Sequence, residues 1–130
     1  MADLIYSITA KMFLTPGKDG GALPFATKCW AGRGKHKDNP ESCHVKNFGP
    51  LPIGRYVIKK AINHPRLGRV AIQLIPYADN VMHGRSDFWI HGASLNPLRH
   101  GQESMGCIIA SKVDRLRLDA EGFTVLEVIA

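Results

Sequence analysis

The sequence predicts a mainly β domain: a small sandwich or barrel-like fold with one short helix near the C-terminus. Thirteen glycines and eight prolines in 130 residues cut the chain into many turns, which suits short strands better than a helical bundle. The runs between those turns are rich in β-branched and aromatic residues, as strands are. One stretch alone, Lys112 to about Ala120, combines helical spacing with capping residues at both ends. A hydrophobic share of 45% is that of a chain able to bury a core. The length suits one domain over residues 1–130.

Taken in order, Leu4 to Leu14 reads as a first strand. Pro16-Gly17 and Asp19-Gly20-Gly21 mark turns, and Phe25 to Ala31 is a second strand. Gly32 to about Asn47, which includes a basic run, reads as a solvated loop. Gly49-Pro-Leu-Pro-Ile-Gly54 is rigid and non-helical, because each proline restricts itself and the residue before it. It launches a strand over Arg55 to Ala61, with Tyr56 and Ile58 on one face. Asn63 to Gly68 turns the chain into Arg69–Pro76, so these two strands form a hairpin. Phe88 to His91 is short and apolar, as a central strand is. Ala93 to Glu103 reads as a polar loop over the site, and Met105 to Ala110 passes from a turn into a strand. Ser111 caps the helix, Asp114 sits in its first turn and Gly122 stops it. Val113, Leu116 and Ala120 lie at helical spacing and are expected to face the core. Phe123 to Ile129 closes the chain as a strand, which makes about seven strands in all.

The chemistry concentrates in Asp87-Phe-Trp-Ile-His-Gly92 and Ser104-Met-Gly-Cys-Ile108, whose histidine and cysteine lie 16 residues apart. A free thiol has a pKa near ~8.5, so it needs a base to become a thiolate at neutral pH. An imidazole titrates where it can take that proton. Cys107 and His91 together are the smallest set able to do nucleophilic acyl chemistry. Gly106 lets the backbone turn sharply, so its amide and that of Cys107 can converge as an oxyanion hole. The alternative is a core cysteine, since Ile108 and Ile109 follow it.

The net charge of +6 favours an anionic target. Nucleic acid and the bacterial envelope both qualify, but no helix-turn-helix or aromatic ribonucleoprotein pattern supports a nucleic-acid partner. No run reaches the ~18 apolar residues that span a bilayer, so no membrane insertion is expected. The N-terminus lacks the basic and apolar regions of a signal peptide, so a wall enzyme of this sequence would be exported by other machinery. Cys29 and Cys43 either pair or remain thiols. No close Cys-x-x-Cys pair suggests zinc, and no metal or cofactor is expected.

The pattern Ile-His-Gly, a loop, then Ser-x-Gly-Cys resembles the active-site signature of the L,D-transpeptidase (YkuD-type) catalytic domain. Two departures stand out. Met105 replaces a second histidine between the serine and the glycine, and Ile109 replaces an asparagine two residues after the cysteine. Both are similar to the divergent branch that includes the L,D-transpeptidase-like effectors of type VI secretion. That branch also carries Gly-Pro-Ile/Leu-Pro-x-Gly-x-Tyr, here Gly49 to Tyr56, and Arg-Ser, here Arg85-Ser86. The resemblance spans roughly Asn47 to Ser111.

The resemblance implies an L,D-transpeptidase-like β-sandwich of mixed sheets. It implies a Cys107 nucleophile, a His91 base and an oxyanion loop of Ser104, Met105 and Gly106. The substrate would be the peptidoglycan stem tetrapeptide, from which terminal D-alanine is released or exchanged. It further implies an antibacterial effector acting in the periplasm of a target bacterium, with an immunity protein as partner. A phage-encoded wall-modifying protein, or a wall-binding domain that has lost turnover, is the alternative. Arg85 either binds the stem carboxylate through a bidentate guanidinium or pairs with Asp87. Ser86, His83 and Gly92 complete the substrate-binding candidates, with turn or surface roles as the alternatives for Ser86 and His83. The partner that orients His91 is expected to be a backbone carbonyl.

Overall fold

The computed structural model describes residues 2–17, 21–93 and 104–130. Ten strands and one α-helix lie among them, in the order β1 (Leu4–Ser7), β2 (Met12–Pro16), β3 (Ala22–Ala26), β4 (Trp30–Ala31), β5 (Gly54–Ile58), β6 (Ile62–His64), β7 (Gly68–Pro76), β8 (Phe88–His91), β9 (Ile108–Ile109), α1 (Lys112–Glu121) and β10 (Val125–Ile129). The hydrogen-bonded path runs β3-β2-β1-β10-β5-β7-β8-β9-β4, and β6 joins the first half of β7. β1 pairs with β10, and β8 with β9, in parallel; the other pairs are antiparallel. The mainly β class, mixed pairing and single C-terminal helix agree with the expectation.

The layers of the sandwich are two halves of one curled sheet. Laid flat, nine strands at ~4.8 Å spacing would be about 38 Å wide. Ala26 and Ala31, at the two edges of the path, nevertheless belong to one buried cluster with Tyr6, Phe13, Tyr56, Ile90 and Ile108. The sheet must curl to bring them together. Tyr6 and Phe13 pack ring to ring inside it, 4.9 Å apart.

Three local expectations are corrected. Leu4–Leu14 is a tight hairpin, not one strand: Ser7 Oγ accepts from the Ala10 amide at 3.1 Å, and Lys11 turns the chain at φ 59°. The strand from Arg55 ends at Ile58, short of Ala61, and a separate strand, β6, begins at Ile62 and runs into the stretch expected as a turn; β5 and β6 pair with opposite halves of β7. The face of α1 is also different. Val113, Leu116 and Ala120 are exposed, while Arg115 and Leu118 are buried. The reason is polar: the Arg115 guanidinium donates to the carbonyls of Ala110, Arg69 and Val70, tying the helix to backbone it covers. The helix ends are as read. Ser111 Oγ accepts from the Asp114 amide at 3.1 Å, and Gly122 closes the helix at φ 69°.

Candidate active site

The parallel β8–β9 pair builds the site. A parallel connection needs a crossover of a dozen or more residues, and the chain between His91 and Ile108 supplies it. The expected loop Ala93–Glu103 falls mostly on residues 94–103, outside the described residues. The pairing Ile90↔Ile108 and His91↔Ile109 sets the faces by the two-residue period of a strand. Ile90 and Ile108 enter the core. Trp89, His91 and the residue before Ile108, Cys107, take the opposite face. The Trp89 amide donates to Cys107 Sγ at 3.3 Å, which confirms that Cys107 lies opposite Trp89. Cys107 and His91 are therefore diagonal neighbours, with Cα atoms about 8 Å apart from strand spacing and rise. Both line one cleft of about 290 Å³.

His91 is buried, and its Nδ1 lies 3.0 Å from the Gly92 carbonyl. A carbonyl only accepts, so Nδ1 carries the hydrogen of that bond. The expected backbone-carbonyl partner is thus present. Gly92 acts through that carbonyl. A Cβ on it would meet the Arg115 guanidinium at 2.5 Å, so its side faces the buried arginine.

Cys107 is half-buried. Burial pushes its thiol up to about 11, with Asp87 adding to the rise, while the Trp89 amide and Arg85 pull it down. The resting group is a thiol. All three cysteines are free thiols, and Cys29 and Cys43 are buried.

The turn before Cys107 is held by a fully used hydroxyl. Ser104 is fully buried; its Oγ donates to the Cys107 carbonyl at 2.5 Å and accepts from the amides of Gly106 at 3.1 Å and Gly32 at 2.9 Å. One donor and two lone pairs are all occupied. This corrects the expectation of paired Gly106 and Cys107 amides. The Gly106 N–H is committed to Ser104 Oγ. Gly106 itself sits at φ 123°, and a Cβ there would strike Arg85 Nη2 at 2.5 Å and Phe88 at 2.8 Å. Met105 is exposed and lines the cleft.

Arg85 occupies an unexpected place. It is buried, with Nη1 donating to the carbonyls of Cys43 at 2.5 Å and Pro50 at 2.7 Å. Its Nη2 donates to those of Gly49 at 2.8 Å and Met105 at 3.1 Å. The guanidinium thus clamps the proline-rich segment to the turn before Cys107, and the Leu51 amide adds a bond to the Gly106 carbonyl at 2.9 Å. These donors are taken up by backbone carbonyls, although Arg85 also lines the cleft, and Arg85 makes no ion pair with Asp87. Three of the motifs read from the sequence, Gly49–Tyr56, Arg85-Ser86 and Ser104–Cys107, meet at this one side chain.

Ser86 is exposed on the cleft wall. His83 is elsewhere: it lines a second cleft with His44, their rings 6.2 Å apart. Sequence reasoning missed Trp89. Its Nε1 donates to Asp87 Oδ1 at 2.8 Å, and its ring meets the His64 ring at 4.8 Å, edge to face. The alternation of β8 could have shown it on the face of His91.

The comparisons with known proteins agree with this architecture. The family model described as the Tlde1 domain matches residues 26–124. Among solved structures, that of the L,D-transpeptidase LdtMt1 in complex with imipenem is similar in fold, with a TM-score of 0.54 at 17% identity. The likeness covers 98% of this chain, which spans 59% of that one. No curated protein matches the sequence. The chain belongs to the Tlde1 domain family, L,D-transpeptidase-like effectors of type VI secretion.

Proposed function

We propose that this chain is a cysteine-dependent enzyme of the peptidoglycan stem tetrapeptide, acting as an L,D-carboxypeptidase, an L,D-transpeptidase or both. The observation that carries the reading is the β8–β9 register, which sets Cys107 and His91 on one face in one cleft. Family membership supplies the peptidoglycan target and the effector role.

In this mechanism His91 Nε2 takes the Cys107 proton as the sulfur attacks the carbonyl of the residue before the terminal D-alanine. The sulfur–carbon bond forms, and the carbonyl oxygen becomes an oxyanion held by the Cys107 amide. The tetrahedral species collapses with cleavage of the C–N bond. The imidazolium returns its proton to the departing D-alanine amine, and a thioester remains. Water then gives the tripeptide acid and restores the thiol; an amine gives a new amide instead. The raised thiol pKa fits attack coupled to proton transfer, rather than a standing thiolate.

The enzyme acts in the periplasm of a target bacterium and is neutralised in its producer by an immunity protein. Purified tetrapeptide muropeptides incubated with the protein and resolved by mass spectrometry test the activity. Loss of D-alanine, or its replacement by another D-amino acid, is the expected result. Unchanged muropeptides that still bind would instead support the non-catalytic wall-binding reading.

A further inference from the structure

Resting on the reading of Cys107 as the nucleophile, we infer that Asp87 is a positioning residue for its thiol. The Asp87 carbonyl takes the S–H bond, and the Asp87 carboxylate, anchored by Trp89, opposes the thiolate. Together they hold Cys107 in its protonated form until His91 takes the proton.

The sulfur rests against two backbone groups at the start of β8. It accepts from the Trp89 amide at 3.3 Å and donates to the Asp87 carbonyl at 3.8 Å. A carbonyl and the amide two residues on point to the same side of an extended strand. Here that is the side of β9, just before the paired residues Ile90 and Ile108. A thiol has one hydrogen, so in the resting state it is committed to Asp87. Asp87 itself stands at φ 68°, a left-handed conformation that Asp and Asn adopt more readily than most residues with a side chain.

The carboxylate is fixed from the same two residues. Trp89 Nε1 donates to Asp87 Oδ1 at 2.8 Å, and the buried Trp89 ring is braced edge to face by His64. The competing partner is Arg66, whose Nη2 lies 4.0 Å from Oδ2 with both side chains mostly exposed. So open a pair is weakly held, and the indole is the anchor that keeps the charge beside the sulfur. The other charged and titratable groups around Cys107 come from several segments. His91 is on β8, Arg85 is in the turn before it, and Lys46 and Arg66 line the cleft from two other segments. Arg85 draws the thiol pKa down while Asp87 raises it, but the guanidinium is already shared among four carbonyls.

The consequence is a nucleophile that is quiet at rest. A standing thiolate in an open cleft reacts with any electrophile or oxidant that reaches it, whereas a thiol does so slowly. Asp87 suppresses that idle reactivity, and the proton leaves only when the imidazole accepts it.

The test is the pH dependence of Cys107 alkylation by iodoacetamide in the full chain, read at that residue by peptide mass mapping. The wild-type midpoint is expected well above the ~8.5 of a free thiol. Asp87→Asn keeps the left-handed backbone, the carbonyl and an oxygen for Trp89, and removes only the charge. Its midpoint should fall by about 0.5–1 unit. Trp89→Phe keeps the amide and a ring against His64 but releases the carboxylate toward Arg66, and should move the midpoint the same way by a smaller amount. A wild-type midpoint at or below ~8.5 overturns the assignment. So does an Asp87→Asn curve that coincides with wild type or lies above it, whatever the stability of the variant. Should Asp87→Asn not fold, Trp89→Phe decides alone, and a midpoint unmoved or raised overturns the assignment. Failure of wild-type protein to release D-alanine, with the shift in midpoint intact, overturns the enzyme reading and leaves the hold on the thiol standing.

Discussion

Replacing Arg85 separates a strut from a substrate ligand. The guanidinium donates to four carbonyls, those of Cys43, Gly49, Pro50 and Met105. Arg85→Met removes every donor while keeping much of the stem's bulk. Each buried carbonyl left without a partner costs about 1–3 kcal/mol. Water entering beside exposed Met105 and half-buried Cys107 can satisfy part of the set, so a net loss of roughly 3–5 kcal/mol is expected. Arg85→Lys should recover only part of this, because one ammonium cannot span two separated pairs of acceptors. Urea unfolding followed by circular dichroism reads the stability, and D-alanine release under conditions where the variant is folded reads the activity. A strut predicts lost stability together with a fall in kcat, since the Gly106–Cys107 turn loosens. A variant that unfolds like wild type and shows only a raised KM would refute this reasoning and return Arg85 to the stem carboxylate.

Gly106→Ala should cost about 3 kcal/mol or more, from a backbone at φ 123° and from displacement of Arg85; a loss below about 1 kcal/mol would contradict the packing described. Ser104→Ala leaves the Gly32 and Gly106 amides without their acceptor, and a loss of about 2–4 kcal/mol in the same unfolding assay is expected. The folded state holds the thiol protons of Cys107, pushed up to about 11, and Cys29, pushed up to about 12, which the unfolded chain releases near pH ~8.5. The stability they contribute is complete below about pH 8.5 and falls as pH rises toward 11; a urea midpoint flat between pH 8 and 10.5 would contradict the burial of these thiols. His91→Ala should slow D-alanine release by about 10²–10⁴-fold with little effect on stem-peptide affinity.

Much of the molecule is legible in the sequence because its signals are local. Turn residues bound most strands, and Ser111 with Gly122 marks both ends of α1. The alternation Phe88-Trp-Ile-His91 already sorts one face from the other. The failures have physical causes. The β1–β2 turn uses Ser7 and a left-handed Lys11 in place of glycine or proline, so it carries no punctuation. Two-residue strands such as β4 and β9 are too short to show a period. Nothing in the sequence marks Arg85 or Arg115 as buried, since a free guanidinium is rarely inside. Their partners are carbonyls from distant segments, and a backbone acceptor leaves no mark on residue identity. With Arg115 on the buried face, Val113, Leu116 and Ala120 turn outward instead of into the core.

The central claim is that the Cys107 sulfur, relieved of its proton by His91, becomes covalently bonded to the stem carbonyl. Acid quenching of a reaction with tetrapeptide, followed by peptide mass mapping, tests it directly. A tripeptide thioester on the fragment containing Cys107, present in wild type and lost with His91→Ala, is the predicted result. D-alanine release that continues undiminished in Cys107→Ala would contradict it.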